Sequence, residues 1–180
     1  MRPRNLLPLC LIPALAAPLL AQETPPRPPL LPSILAAEAS RNAVLRGINQ
    51  VQLDVNLSEG ARAEDAELRA ELRDAVELEL RRAGILLRES GPGEADRTPA
   101  LRLDVKFDRS SGRFAARVNL AVRDQVTVTR NRETVVTEVW SLERTASSNV
   151  DSGLSREVRK VARDLTGDFL AALRKANAPR

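Results

Sequence analysis

FAARVNLAVRDQVTV, residues 114–128, is the stretch that decides the fold. Phe114, Ala116, Val118, Leu120 and Val122 occupy every second position, with Ala115, Arg117, Asn119, Ala121 and Arg123 between them. Apolar residues at a period of two make a strand with one buried face and one wet face. Asp124 continues on the inward side, where a lone carboxylate is costly to bury. A bulge or a strand end is therefore expected there.

The neighbours of this strand read outward from it. Leu101, Leu103, Val105 and Phe107 alternate with Arg102, Asp104 and Lys106, and DRSSGR (108–113) has turn chemistry. These two strands should pair antiparallel. On the other side Arg130–Glu133 makes a turn, and Thr134–Leu142 (TVVTEVWSL) is the last strand. Further upstream, Val51, Leu53, Val55 and Leu57 alternate with Gln52, Asp54 and Asn56. A helical pattern follows, with Leu68, Leu72, Val76 and Leu80 four apart. Asp65–Arg69 and Glu77–Arg81 are acid-before-base pairs of the kind that support an exposed helix. The pattern stops at Ala83-Gly84-Ile85, where glycine suits a left-handed cap, and Ile85–Arg88 starts a short strand. Strand, helix and strand in that order form a right-handed crossover. Ser90–Pro99 is a loop by its Gly and Pro content, and Thr145–Asp151 reads as a polar loop. Asp151 or Ser152 is placed to cap a final helix, in which Leu154, Val158, Val161, Leu165, Phe169 and Ala172 form one apolar stripe.

The fold these elements imply is α/β, with the order β-α-β-β-β-β-α. It is a two-layer sandwich: a mostly antiparallel sheet of about five strands, with two amphipathic helices on one face. The other face is left open and polar, carrying Gln52, Asp54, Arg102, Asp104, Lys106, Arg117, Asn119, Arg123, Thr127 and Thr129. Antiparallel sheets tolerate one wet face.

Three segments divide the chain. Residues 1–21 have a basic start, an apolar middle and small residues at the end, which fits a secretory signal peptide. The apolar run is broken by Pro8, Pro13 and Pro18 and is short for a membrane span. No transmembrane helix is expected in the mature chain. Cys10 raises the reading of an outer-membrane lipoprotein, but Leu7-Pro8-Leu9 before it lacks the small residue of a lipobox. Residues 22–46 are a Pro-rich linker, QETPPRPPLLPS, followed by a short Ala-rich helix over Ile34–Arg46. The α/β sandwich domain is read over 47–180. The protein is expected to be periplasmic or secreted, by bacterial export.

Composition excludes more than it assigns. Aromatic residues make up 2% of the 180, so the core is aliphatic. Of 28 basic and 24 acidic residues, Arg2 and Arg4 fall in the signal peptide, leaving 26 against 24. This balance gives no electrostatic case for nucleic acid. There is no His and no Tyr, and Cys10 is the only Cys. The mature chain has no disulfide, no thiol nucleophile and no nitrogen or sulfur ligand set for zinc or copper. Imidazole acid–base chemistry is impossible. Asp104, Asp108 and Asp124 differ in strand phase or lie in a turn, so they read as solvated charges. Ser110-Ser111-Gly112 lacks a nucleophile elbow, and Gly91-Pro92-Gly93 lacks the lysine of a phosphate loop. No catalytic residue, metal or cofactor is expected.

Two resemblances accompany this reading. The layout is similar to small periplasmic domains such as the N-terminal domain of TolB and the LptE-type assembly lipoproteins. More locally, VELELRRAGI (76–85), LRLDVKF (101–107), QVTVTRN (125–131) and the final helix resemble a group of exported bacterial proteins of unknown function. That likeness covers Gly47 to Ala176 and implies no catalytic residues. Together the observations suggest a non-enzymatic exported binding or assembly module of the cell envelope. It would contact another envelope protein, or a second copy of itself, through a sheet edge or the open face. The alternative is a binder of anionic lipid or glycan through the arginine-bearing face. Arg102, Arg117, Arg123 and Thr127 are the candidate contact residues.

Overall fold

A computed structural model describes residues 40–58, 61–88, 98–109 and 114–178. Residues 1–39, where a signal peptide and a Pro-rich spacer are expected, and most of the 90–99 loop lie outside the described residues. The chain runs β1 (Gln50–Ser58), a 3-10 turn (Ala63–Asp65), α1 (Ala66–Arg82), β2 (Leu86–Leu87), β3 (Ala100–Asp108), β4 (Phe114–Thr127), β5 (Thr134–Ser148) and α2 (Asp151–Asn177). The strands form one sheet in the order β2-β1-β3-β4-β5. β1 is parallel to β2 and to β3, and β4 is antiparallel to both its neighbours. This is the expected α/β architecture, with an open sheet rather than a barrel.

The register explains the two layers. Leu53, Leu101, Val122 and Trp140 lie in one cross-strand row, and Val55, Leu103, Leu120 and Leu142 in the next. Both rows face the helices. Leu68, Leu72, Val76 and Leu80 of α1 are buried on the sheet, as are Leu154, Val158, Leu165, Phe169 and Leu173 of α2. α1 lies over β1 and β2, and α2 over β4 and β5. Aliphatic side chains of this size each gain about 1.5–3 kcal/mol on full burial. Arg159 of α2 joins Glu71 of α1 at 2.7 Å where the helices meet.

α1 ends as its sequence suggests. Gly84 has φ +79°, and the Ile85 amide donates back to the Leu80 carbonyl at 3.0 Å. A Cβ at Gly84 would meet no atom within 4 Å, so Gly84→Ala carries only the cost of a left-handed alanine. We expect a loss of about 1 kcal/mol in urea unfolding. No loss would mean that the cap relaxes to another conformation.

Several local expectations are corrected. Residues 145–148 continue β5 instead of forming a loop. Ala116 pairs with Ala146, which is 2% exposed, so the polar TASS run still alternates about one buried position. α2 begins after Val150 in an extended conformation, with no side-chain cap from Asp151 or Ser152. Instead, the Ser148 hydroxyl accepts from the Val150 amide and donates to its carbonyl. Asp65 does not pair with Arg69, which donates to the Val55 carbonyl at 2.7 Å. Glu77 does pair with Arg81, at 3.2 Å.

The packed unit takes in residues before Gly47. Residues 40–43 are helical, Leu45 is fully buried and Asn42 is 6% exposed. Asn42 accepts a hydrogen bond from the Trp140 indole at 3.3 Å. Arg46 reaches the Ala176 carbonyl, and Asn177 accepts from the Gly47 amide. These bonds tie the start of the described chain to its end.

Candidate functional site

β4 and β5 outlast the sheet. β3 begins at Ala100, opposite Arg123, while the β4–β5 ladder continues through Asp124↔Thr137, Gln125↔Val136, Val126↔Val135 and Thr127↔Thr134. Among the described residues no third strand joins these four pairs. A register shift at Val122/Arg123 marks where the arm leaves the body. This is the bulge expected from Asp124, whose carboxylate, half-buried, accepts from the Gln125 amide instead of entering the core.

The arm is closed by a turn in which the Val128 amide donates to Glu133 O and the Arg132 amide to Val128 O. Arg132 takes φ 60° there, an uncommon conformation for a residue with a Cβ. Asn131 bonds both the Glu133 amide and its carboxylate. Along the arm Val126, Val135 and Val136 are 37%, 42% and 57% exposed. Two-stranded ribbons are marginal in water on their own, so exposed β-branched residues on one call for an explanation.

The sheet edges are unequal. The β2 edge has two residues, whereas β5 offers fifteen with no described strand on its outer side. A short edge strand limits unwanted pairing, and a long one invites it. Arg41 covers one point of the β5 edge by donating to the Ser141 carbonyl.

The four candidate residues do not form one cluster. Arg102, Arg117 and Arg123 lie on the open face of the sheet, where Arg102 is held by Asp104 at 2.8 Å and Arg117 by Glu143 at 3.4 Å. Arg123 stands opposite Glu138 in the ladder. Asp54, Asp104, Glu138 and Glu143 thus share this face with Arg102, Lys106, Arg117 and Arg123, and its charge is balanced. Thr127 is exposed at the far end of the arm, about 34 Å along β4 from Arg117 at strand rise.

One feature was invisible in the sequence. Arg109, just past β3, forks onto Asp65 with both contacts at 2.9 Å and donates Nε–H to Asp151 at 3.0 Å. Its guanidinium also lies 4.3 Å from the Phe107 ring centroid. The Arg62 amide donates to Asp65 at 2.7 Å, and the Arg62 side chain meets Asp151 at 2.5 Å. The side chains of Arg109 and Asp65 are 9% and 7% exposed. Burial alone would raise the Asp65 pKa, but the Arg109 and Arg62 hydrogen bonds and charges outweigh it and hold the carboxyl below its ordinary 3.8. Hydrogen bonding to Asp65, against some desolvation, pushes Arg109 above its ordinary range. The cluster locks the starts of both helices to the end of β3. No group of metal-ligating side chains occurs among the described residues, and no described helix is long and apolar enough to cross a membrane.

No family model matches the chain, and no curated protein matches it either. Among solved structures it is similar to the PelC dodecamer from Paraburkholderia phytofirmans, at 19% identity over 69% of this chain and 87% of that one, TM-score 0.42. It is also similar to a minor lipoprotein from Acinetobacter baumannii, at 14% identity over 69% and 92%, TM-score 0.38. A Xanthomonas campestris protein of family DUF330 aligns at 16% identity over 68% and 84%, TM-score 0.34. Likenesses this distant concern chain outline, and nothing about this chain's partners or activity follows from them.

Proposed function

We propose that this protein is an exported, non-enzymatic binding or assembly module of the cell envelope that engages a protein partner through the β4–β5 arm. The observation that carries the reading is the arm itself. It leaves the body with both edges unpaired among the described residues and with Val126, Val135 and Val136 exposed. An extended partner segment could add to either edge by main-chain hydrogen bonds and cover the valines. Export rests on the basic-then-apolar pattern of residues 1–21. Residues 22–39 would then tether the domain. A layout like that of periplasmic domains such as those of TolB and LptE, expected from the sequence, would suit the same compartment. Of the candidate contact residues, Thr127 belongs to this surface. Arg102, Arg117 and Arg123 would serve, at most, a partner with charges of both signs.

A photoreactive residue at Val136 in intact cells, with the exposed α2 position Arg163 as control, tests the proposal. We expect one discrete protein adduct from Val136 and none from Arg163. Equal labelling at the two positions, or labelling of lipid or glycan alone, would overturn it.

A further inference from the structure

The two ends of the β4–β5 arm differ in charge. At its tip Arg130 and Arg132 are exposed, and neither side chain has a hydrogen bond or ion pair among the described residues. The acid beside them, Glu133, is held by the Asn131 side chain. Arg132 is fixed at its backbone, with φ 60° and its amide donating to the Val128 carbonyl at 2.7 Å. At the base the balance reverses, with Asp124 and Glu138 against Arg123. From Thr134 at the tip to Glu138 is about 13 Å at strand rise. That exceeds the screening length of about 8 Å at physiological ionic strength, so each end acts on a ligand separately.

Free main chain lies between these ends. The β5 edge has no described strand on its outer side from Thr134 up to Ser141, where Arg41 donates to the carbonyl. Such an edge is satisfied by another peptide backbone, which a lipid headgroup does not bring. Val126 and Val135 pair across the arm and share one face. We infer that the arm takes an extended peptide with apolar side chains at alternate positions and carboxylates at the end that meets Arg130 and Arg132. β5 runs from tip to base, and antiparallel pairing is the more stable kind per residue. The peptide therefore runs from base to tip, with its acids at the C-terminal end. This inference rests on the arm being the docking surface and adds the chemistry and direction of what docks.

Fluorescence anisotropy with the purified protein tests it. The probe is a short labelled peptide of alternating threonine and valine, ending in two glutamates and blocked at both termini. One control carries the glutamates at its N-terminal end, and another has glutamines in their place. We expect the first peptide to bind about tenfold more tightly than either control, a preference that fades as salt is raised. Arg130→Gln combined with Arg132→Asn should erase the preference, and asparagine keeps the turn because it accepts a positive φ. In cells, with the photoreactive residue at Val136, the same double change should reduce the partner adduct about tenfold. An adduct that the double change leaves undiminished would overturn this inference while the arm remains the docking surface. No adduct from the wild type would remove both. Equal affinity for the three peptides, or no binding of the first, would also overturn the inference. So would binding of anionic vesicles, in place of peptide, that depends on Arg130 and Arg132.

Discussion

Replacing Arg109 with methionine is expected to cost about 3–5 kcal/mol of folding stability, measured by urea unfolding. The reason lies in what remains behind. Asp65 is buried at the head of α1, and without the guanidinium fork it keeps only the Arg62 amide at 2.7 Å as a close donor. A carboxylate stripped of its cation in such a place is one of the few single changes that cost this much. Changing both partners to apolar residues, Asp65→Leu with Arg109→Met, should recover much of the loss, because the buried pair itself gives little net stability. The pH dependence has a definite sign. In the wild type the folded pKa of Asp65 is depressed below 3.8, so the stabilisation is complete above the unfolded value and fades as pH falls through the folded one. In Arg109→Met the Arg62 hydrogen bond and charge remain but the guanidinium fork is gone, so the folded pKa lies higher than in the wild type and the stability lost on acidification should be smaller. A loss under 1 kcal/mol with an unchanged acid profile would show that the cluster is a solvated surface pair.

How much of this was legible before folding differs by element. Period-two alternation in β3 and β4 and the four-residue spacing in α1 are local signals, and they placed the strands, the first helix and its glycine cap. Asp124 in the inward phase was enough to call for a bulge or a strand end, because a buried lone carboxylate is costly; that the strand continues past a bulge to Thr127 was not legible. Strand order was not legible, because parallel pairing of β1 with β3 depends on contacts about 48 residues apart. The Arg109–Asp65 lock could not be found either. Arg109 sits in turn chemistry with no periodicity, and Asp65 had a plausible local partner in Arg69. Nothing local distinguishes an arginine that will be buried from one that will be solvated. The same limit applies to the open face: strand phase already set Asp54 and Asp104 on the same face as Arg102, Arg117 and Arg123, but only the register brought Glu138 and Glu143 of β5 there as well.

Removing the arm should abolish partner capture and leave the fold intact. Asp124 and Thr137 face each other at the arm's base, so an Asn-Gly pair replacing residues 125–136 would close the ladder with a two-residue hairpin. The deleted residues pair only with one another among the described strands. Most are exposed, so their loss should change urea stability by no more than about 1 kcal/mol. A photoreactive residue at Glu143, exposed on β5 below the arm, then reports on whether the partner still docks. Wild-type protein carrying this probe should give the same adduct as Val136, and the shortened protein should give none. A domain that unfolds when shortened would make the arm structural, and the exposed valines would need another account. An adduct that persists at Glu143 would place recognition along the β5 edge itself, with Arg41 at Ser141 as the nearest side chain to test.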